Sequence, residues 1–185
     1  MDAVLRRFTR GIVALIAALA ALASSPAQAQ EVSEPAVKAA YLYKFGGYLE
    51  WPASAAPRAE APFTIGVQGA DDVAAELARL VPGRMVQGRR LEVRRVRDVD
   101  GLKGVQVLFV GRAEANPRDA VRAATRLGIV TVTDADRGLE LGSTIAFVAS
   151  EDRVAFEVSL PAADRVGVTI SSRMLGVARR VVPKG

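Results

Sequence analysis

Residues Val105-Gln106-Val107-Leu108-Phe109-Val110 are apolar at every position except Gln106. A strand with one wet face alternates apolar and polar side chains, so a run of this kind belongs to a strand covered on both faces. It must lie in the middle of a sheet. Asn116-Pro117 then opens a helix carrying Ala120, Val121, Ala124 and Leu127 to a stop at Gly128, and Ile129 to Val132 follows as a strand. Strand, helix and strand at this spacing make a right-handed parallel crossover.

The remaining segments extend that unit. Phe63 to Gln68 reads as a strand, and Gly69-Ala70-Asp71 turns into a helix to about Leu80 with Val73, Leu77 and Leu80 on one face. Leu91 to Val96 is a second strand whose alternation slips between Val93 and Val96, which predicts a bulge or an edge position. Thr144 to Ala149 and Arg153 to Leu160 flank a hairpin turn at Ser150-Glu151-Asp152, so the sheet is mixed. Ser33 is placed to cap a helix from Glu34 to about Leu49, with Pro35 in its first turn and Trp51-Pro52 ending it. Val37, Tyr41, Phe45 and Tyr48 form one stripe on it, expected to face inward. Ala53 to Ala61 reads as a surface loop, and Pro161 to Val166 and Ser171 to Val182 as two closing helical pieces broken around Gly167. Met174, Leu175, Ala178, Val181 and Val182 give the last piece its apolar side. The expectation is a single α/β domain, a mixed and mostly parallel sheet flanked by helices.

Residues 1–29 do not belong to that pattern. Arg6, Arg7 and Arg10 precede an apolar run from Gly11 to Leu22, and Ala27-Gln28-Ala29 is a small-x-small cleavage site. The run falls short of the roughly 20 apolar residues that span a bilayer. The expectation is a cleaved signal peptide over 1–29 and a mature domain over 30–185, released into the periplasm; without cysteine, no lipid can be attached at the cut. The Arg6-Arg7 pair fits a twin-arginine signal poorly.

Composition narrows the chemistry. With no His and no Cys, the chain has no Ser-His-Asp triad, no thiolate nucleophile, no histidine metal ligand and no disulfide. Asp71-Asp72, Asp98 with Asp100, and Asp134 with Asp136 are acidic pairs, each at a turn or helix start where Asp caps backbone N–H groups. No P-loop, G-x-S-x-G or dinucleotide glycine pattern occurs, and the reading is a protein without catalytic activity, metal or cofactor. The net charge is +5, of which the leader, with three Arg and one Asp, holds +2; the mature domain keeps a mild +3. Nucleic acid is not an expected partner. The densest basic run, Arg84, Arg89, Arg90, Arg94, Arg95 and Arg97 with Glu92 inside it, reads as a solvated loop and edge strand, or as a patch for an acidic partner.

Three stretches resemble the YfiR-like periplasmic proteins. Val37-Lys38-Ala39-Ala40-Tyr41-Leu42-Tyr43-Lys44-Phe45 with Trp51-Pro52 is similar to that family's opening helix and its exit, and Val105 to Val110 to its central strand. Arg153 to Val158 and Ile170-Ser171-Ser172-Arg173-Met174-Leu175 resemble its hairpin strand and closing helix. Ser159 stands where the family often has Asn, and the cysteines of some members are absent, so no redox control carries over. The resemblance implies a regulator that binds the periplasmic sensor part of an inner-membrane diguanylate cyclase and represses it, lowering cyclic di-GMP and biofilm formation. Tyr43, Trp51 and Arg173 are the candidate partner-binding residues, being aromatic or Arg side chains that the core stripes leave over. Exposed strand edges permit a homodimer. The alternative is a periplasmic binder of a small anion or metabolite beyond the carboxyl ends of the strands, bordered by Gly69 to Asp71 and Gly111.

Overall fold

The computed structural model describes residues 32–52, 61–150 and 153–185. Helix α1 (Glu34–Gly46) and the short strand β1 (Leu49–Glu50) come first. They are followed by β2 (Phe63–Gln68), α2 (Asp71–Leu80), β3 (Met85–Val86), β4 (Arg89–Arg95), β5 (Val107–Val110), α3 (Pro117–Arg126) and β6 (Val130–Thr133). The chain closes with β7 (Ile145–Ser150), β8 (Arg153–Ser159), α4 (Leu160–Arg165), β9 (Thr169–Ile170), α5 (Ser172–Leu175) and β10 (Arg180–Val182). Single 3-10 turns occupy Asp100–Leu102 and Gly138–Leu141. The leader expected over 1–29, the loop residues 53–60 and the turn residues Glu151-Asp152 lie outside the described residues.

Eight strands form one sheet in the order β10-β8-β7-β6-β5-β2-β4-β3, and β1 pairs with β9 in a separate ribbon. Only β7 with β8 and β3 with β4 run antiparallel within the large sheet, so the expected mixed and mostly parallel α/β domain is what the chain forms. Strand β5 lies between β2 and β6, and all four of its side chains are 0% exposed. Val107 and Phe109 face the layer that holds α1 and α2, while Leu108 and Val110 face α3. At about 2 kcal/mol for each fully buried side chain, that run is worth leaving only where helices cover both faces. No helix among the described residues is long and apolar enough to cross a membrane.

Helix α1 begins as expected, with the Ser33 hydroxyl accepting from the Ala36 N–H, but ends earlier. Gly46 packs so tightly that a Cβ there would sit 3.0 Å from Val86 and 3.2 Å from the Phe63 ring. The chain then turns at Gly47 into β1. The expected stripe is also corrected: Lys38, Ala39, Leu42 and Phe45 are buried, whereas Val37, Tyr41 and Tyr48 are half-buried. Both faces of α1 carry apolar residues, so periodicity did not select between them. Tyr41 still contributes, meeting Phe45, Phe147 and Phe156 with ring centroids 5.6 to 5.9 Å apart.

Three further differences have local causes. The closing helix spans only Ser172–Leu175; Gly176 follows it, and Arg180–Val182 instead runs parallel to β8, with Arg180 pairing Glu157 at 2.5 Å. β-branched Val181 and Val182 suit an extended strand better than a helix. Strand β4 lies one place in from the edge, because the two residues of β3 cover its start. Leu127 is exposed rather than inward.

The loops after β2 and β5 touch where the strands end. Gly111 N–H donates to the Gln68 carbonyl at 2.8 Å, and a Cβ on Gly111 would collide with the Gly69 carbonyl and Ala70. Backbone cannot yield as a side chain tip does, so Gly111→Ala should cost about 2 to 3 kcal/mol. A lower urea midpoint with an unchanged denaturant slope would record it.

Candidate functional site

A cleft of about 770 Å³ opens at the carboxyl ends of the parallel strands. The first turns of α1 supply Glu34 and Lys38, the β2–α2 turn Gly69 to Asp72, the end of β4 Arg95 to Arg97, the end of β5 Arg112 and the end of β6 Asp134. Lys38 is buried, and its Nζ lies 2.5 Å from both Glu34 Oε1 and Asp134 Oδ2. Asp134, its side chain 7% exposed, also accepts from the Arg112 backbone N–H at 2.6 Å and from Arg112 Nε at 3.2 Å. Arg112 Nη2 reaches Glu34 at 2.9 Å, closing a ring of two cations and two carboxylates. The Lys38 hydrogen bond, against the opposing effect of burial, holds the Glu34 carboxyl below its ordinary range. The Asp134 charge raises the Arg112 guanidinium.

Opposite charges in contact cancel, so this ring acts as a clamp of α1 on the ends of β5 and β6. The cleft walls are zwitterionic: Arg95 and Arg97 face it beside Asp71 and Asp72, and Arg95 meets Asp71 at 3.1 Å. Gly69 to Asp71 border it as expected, whereas Gly111 is buried beneath, packed on Gly69. Asp72 accepts from the Val73 N–H and Asp98 from the Gly101 N–H, the capping roles expected of those pairs. Asp134 caps a backbone N–H too, but its partnership with Lys38 was not legible, since nothing in sequence links residues 96 positions apart. The only signal was a lysine one helical turn before Leu42 on a face that turned out to be buried. Among the described residues no group of three or more acidic side chains is placed to hold a metal ion.

Tyr43, Trp51 and Arg173 lie outside this cleft, and Tyr43 and Trp51 stand near the starts of β2 and β4. Tyr43, in the last turns of α1, is half-buried with Arg84 Cζ 5.7 Å and Lys44 Nζ 6.0 Å from its ring centre. Trp51 follows β1 and stands edge-on to Phe63 at 5.8 Å. Arg173 is exposed on α5. The antiparallel register Leu49↔Ile170 in the β1–β9 ribbon, with the Ser171 N–H donating to the Tyr48 carbonyl, sets Trp51 at one end of the ribbon and the segment bearing Arg173 at the other, so the structure does not bring these two together. Arg89, a member of the basic run, and Gln87, which the sequence reading does not single out, belong to the end where β2 and β4 begin. Gln87 Nε2 donates to the Gly46 and Leu49 carbonyls, tying the β3–β4 turn to the end of α1.

An open, mixed sheet with helices on both faces and a charged cleft at the carboxyl ends of its parallel strands defines a domain of the α/β class. The chain belongs to the YfiR/HmsC-like family, which it matches over residues 35–179. No curated protein matches it. Among solved structures it is similar to a conserved domain protein from Vibrio cholerae O1 biovar eltor, at 12% identity and a TM-score of 0.50, with 80% of this chain and 60% of that one covered. The ABC domain in complex with L-Trp from Streptococcus pneumonia matches at 12% identity and a TM-score of 0.47 over 65% of this chain and 55% of that one. The chain thus spans 55% and 60% of the length of these two structures. At 12% identity the likeness to the Vibrio cholerae protein is one of fold alone. Family membership supports a regulatory reading over an enzymatic one.

Two outcomes test the clamp. Asp134→Ala leaves the buried Lys38 charge short of a partner and should cost about 3 kcal/mol, more than half of it recovered by adding Lys38→Met in a double-mutant cycle. Because the Glu34 pKa is lowered in the fold, its contribution is present above the ordinary value of 4.5 and lost as pH falls through the depressed value. Urea midpoints should therefore drop below pH 4.5, and Glu34→Gln should remove part of that drop.

Proposed function

We propose that the chain is exported through a signal peptide over residues 1–29 and works in the periplasm as a regulator. In this reading it binds the periplasmic sensor part of an inner-membrane diguanylate cyclase and holds the enzyme in its inactive state. The observation that carries the proposal is membership of the YfiR/HmsC-like family over residues 35–179. A regulator shifts its partner only by as much as it prefers one conformation, and a hundredfold preference supplies about 2.7 kcal/mol. Tyr43, Trp51 and Arg173 are the proposed contact residues, Arg173 being exposed and the two aromatic side chains half-buried.

Deleting the protein should raise cyclic di-GMP, and pull-down from membranes should recover a diguanylate cyclase; unchanged nucleotide and no such partner would overturn the reading. Arg173→Glu, a change on an exposed side chain, should abolish repression while Tm moves by less than about 2 °C.

A second reading, a small periplasmic ligand in the charged cleft, is favoured by the 770 Å³ of space at the carboxyl ends of the strands. A thermal-shift series of anions and metabolites checks it, with stabilisation expected from a binder and none at millimolar concentration counting against it.

A further inference from the structure

The turn between β3 and β4 uses Gln87 at φ +51° and Gly88 at φ +75°, the two left-handed residues of a tight hairpin, and so delivers Arg89 inward. Arg89 is 7% exposed. Its guanidinium carbon lies 5.0 Å from the centre of the Phe63 ring, on which Trp51 also rests. Neither Nη1 nor Nη2 has a hydrogen-bond partner among the described residues. Among those residues Arg84, Arg89 and Arg90 enter no ion pair either. A buried guanidinium with four unused N–H donors is the costliest unsatisfied group a protein can keep, and the ring face returns only part of the lost hydration. Burial lowers the Arg89 pKa, in keeping with a cation that lacks a counter-charge.

We infer that Arg89 is a receptor for a carboxylate side chain of a protein partner, held as a bidentate pair at the Phe63 ring that Trp51 also meets. A carboxylate is the group that matches two parallel N–H donors in one plane and cancels the charge. Exposed Arg84, whose guanidinium lies by the Tyr43 ring on the same side of the sheet, favours an acidic segment. Trp51 is the half-buried member of the trio and the one open to solvent at the site. Arg89 is then an anchor beside the candidate residue Trp51, so the inference rests on the partner-binding reading proposed above.

The test needs neither a cyclase nor a cell, so its failure would leave repression standing and the failure of repression would leave it intact. Trp51 is the single tryptophan of the chain, and its emission reports the site directly. The full-length protein is titrated with an acetylated, amidated Leu-Glu-Leu-Glu-Leu peptide, with its Gln counterpart, and with acetate. The Glu peptide should shift Trp51 emission saturably and raise Tm, the Gln peptide should bind at least tenfold more weakly, and acetate should give no saturation at millimolar concentration. Arg89→Met should raise the Tm of the free protein by about 5 °C, because an uncompensated charge is removed, and abolish the response; Arg89→Lys should fold and weaken it at least tenfold. The inference is overturned if the Glu and Gln peptides bind alike, if either variant binds like the parent, or if Arg89→Met lowers Tm. Saturation by acetate with no gain from the peptide would overturn the assignment to a protein side chain.

Discussion

The structure is governed by the need to keep β5 dry on both faces. One central strand without a polar side chain forces a layer of helix on each side, and its two parallel neighbours must then be joined by crossovers that return over the sheet. From that follow the placement of α2 and α3 on opposite faces and the meeting of their preceding loops at one end, where Gly69 and Gly111 pack backbone on backbone. The charged cleft and the Lys38 clamp sit on this floor.

The two ends of the sheet treat charge differently. At the carboxyl end every buried ion is answered: Lys38 has two carboxylates, and Asp134 has a lysine, a guanidinium and a backbone N–H. At the other end a guanidinium lies against Phe63 with no counter-charge among the described residues. A satisfied network fixes one arrangement, whereas an unsatisfied group leaves free energy to be gained on contact. The answered and the unanswered charges thus lie some six strand residues apart, the length of β2.

Much of the frame was legible in sequence because it rests on local signals. The β5 run, the Pro117 start and Gly128 stop of α3, and the Ser33 cap all act over a few residues, and the structure keeps them. What sequence did not give depends on distance. The inward face of α1 was misread because two apolar stripes compete, and the winner carries a lysine whose counter-ion lies 96 residues away. The last helix was misread because Val181 and Val182 complete either a helical face or a sheet edge, and only the free edge of β8 decides. Arg89 looked like one more member of a solvated basic run; its burial comes from a two-residue turn that alternation cannot reveal. The family resemblance survived because it used the order of segments across the chain.

The place of β10 sets an order on synthesis. Its partner β8 ends at Ser159 while β10 starts at Arg180, so a ribosome-bound chain presents β8 with a bare outer edge until some twenty more residues have emerged. An unpaired edge is a template for other chains. Closure of that edge therefore waits for the last strand, which covers β8 at once when it arrives.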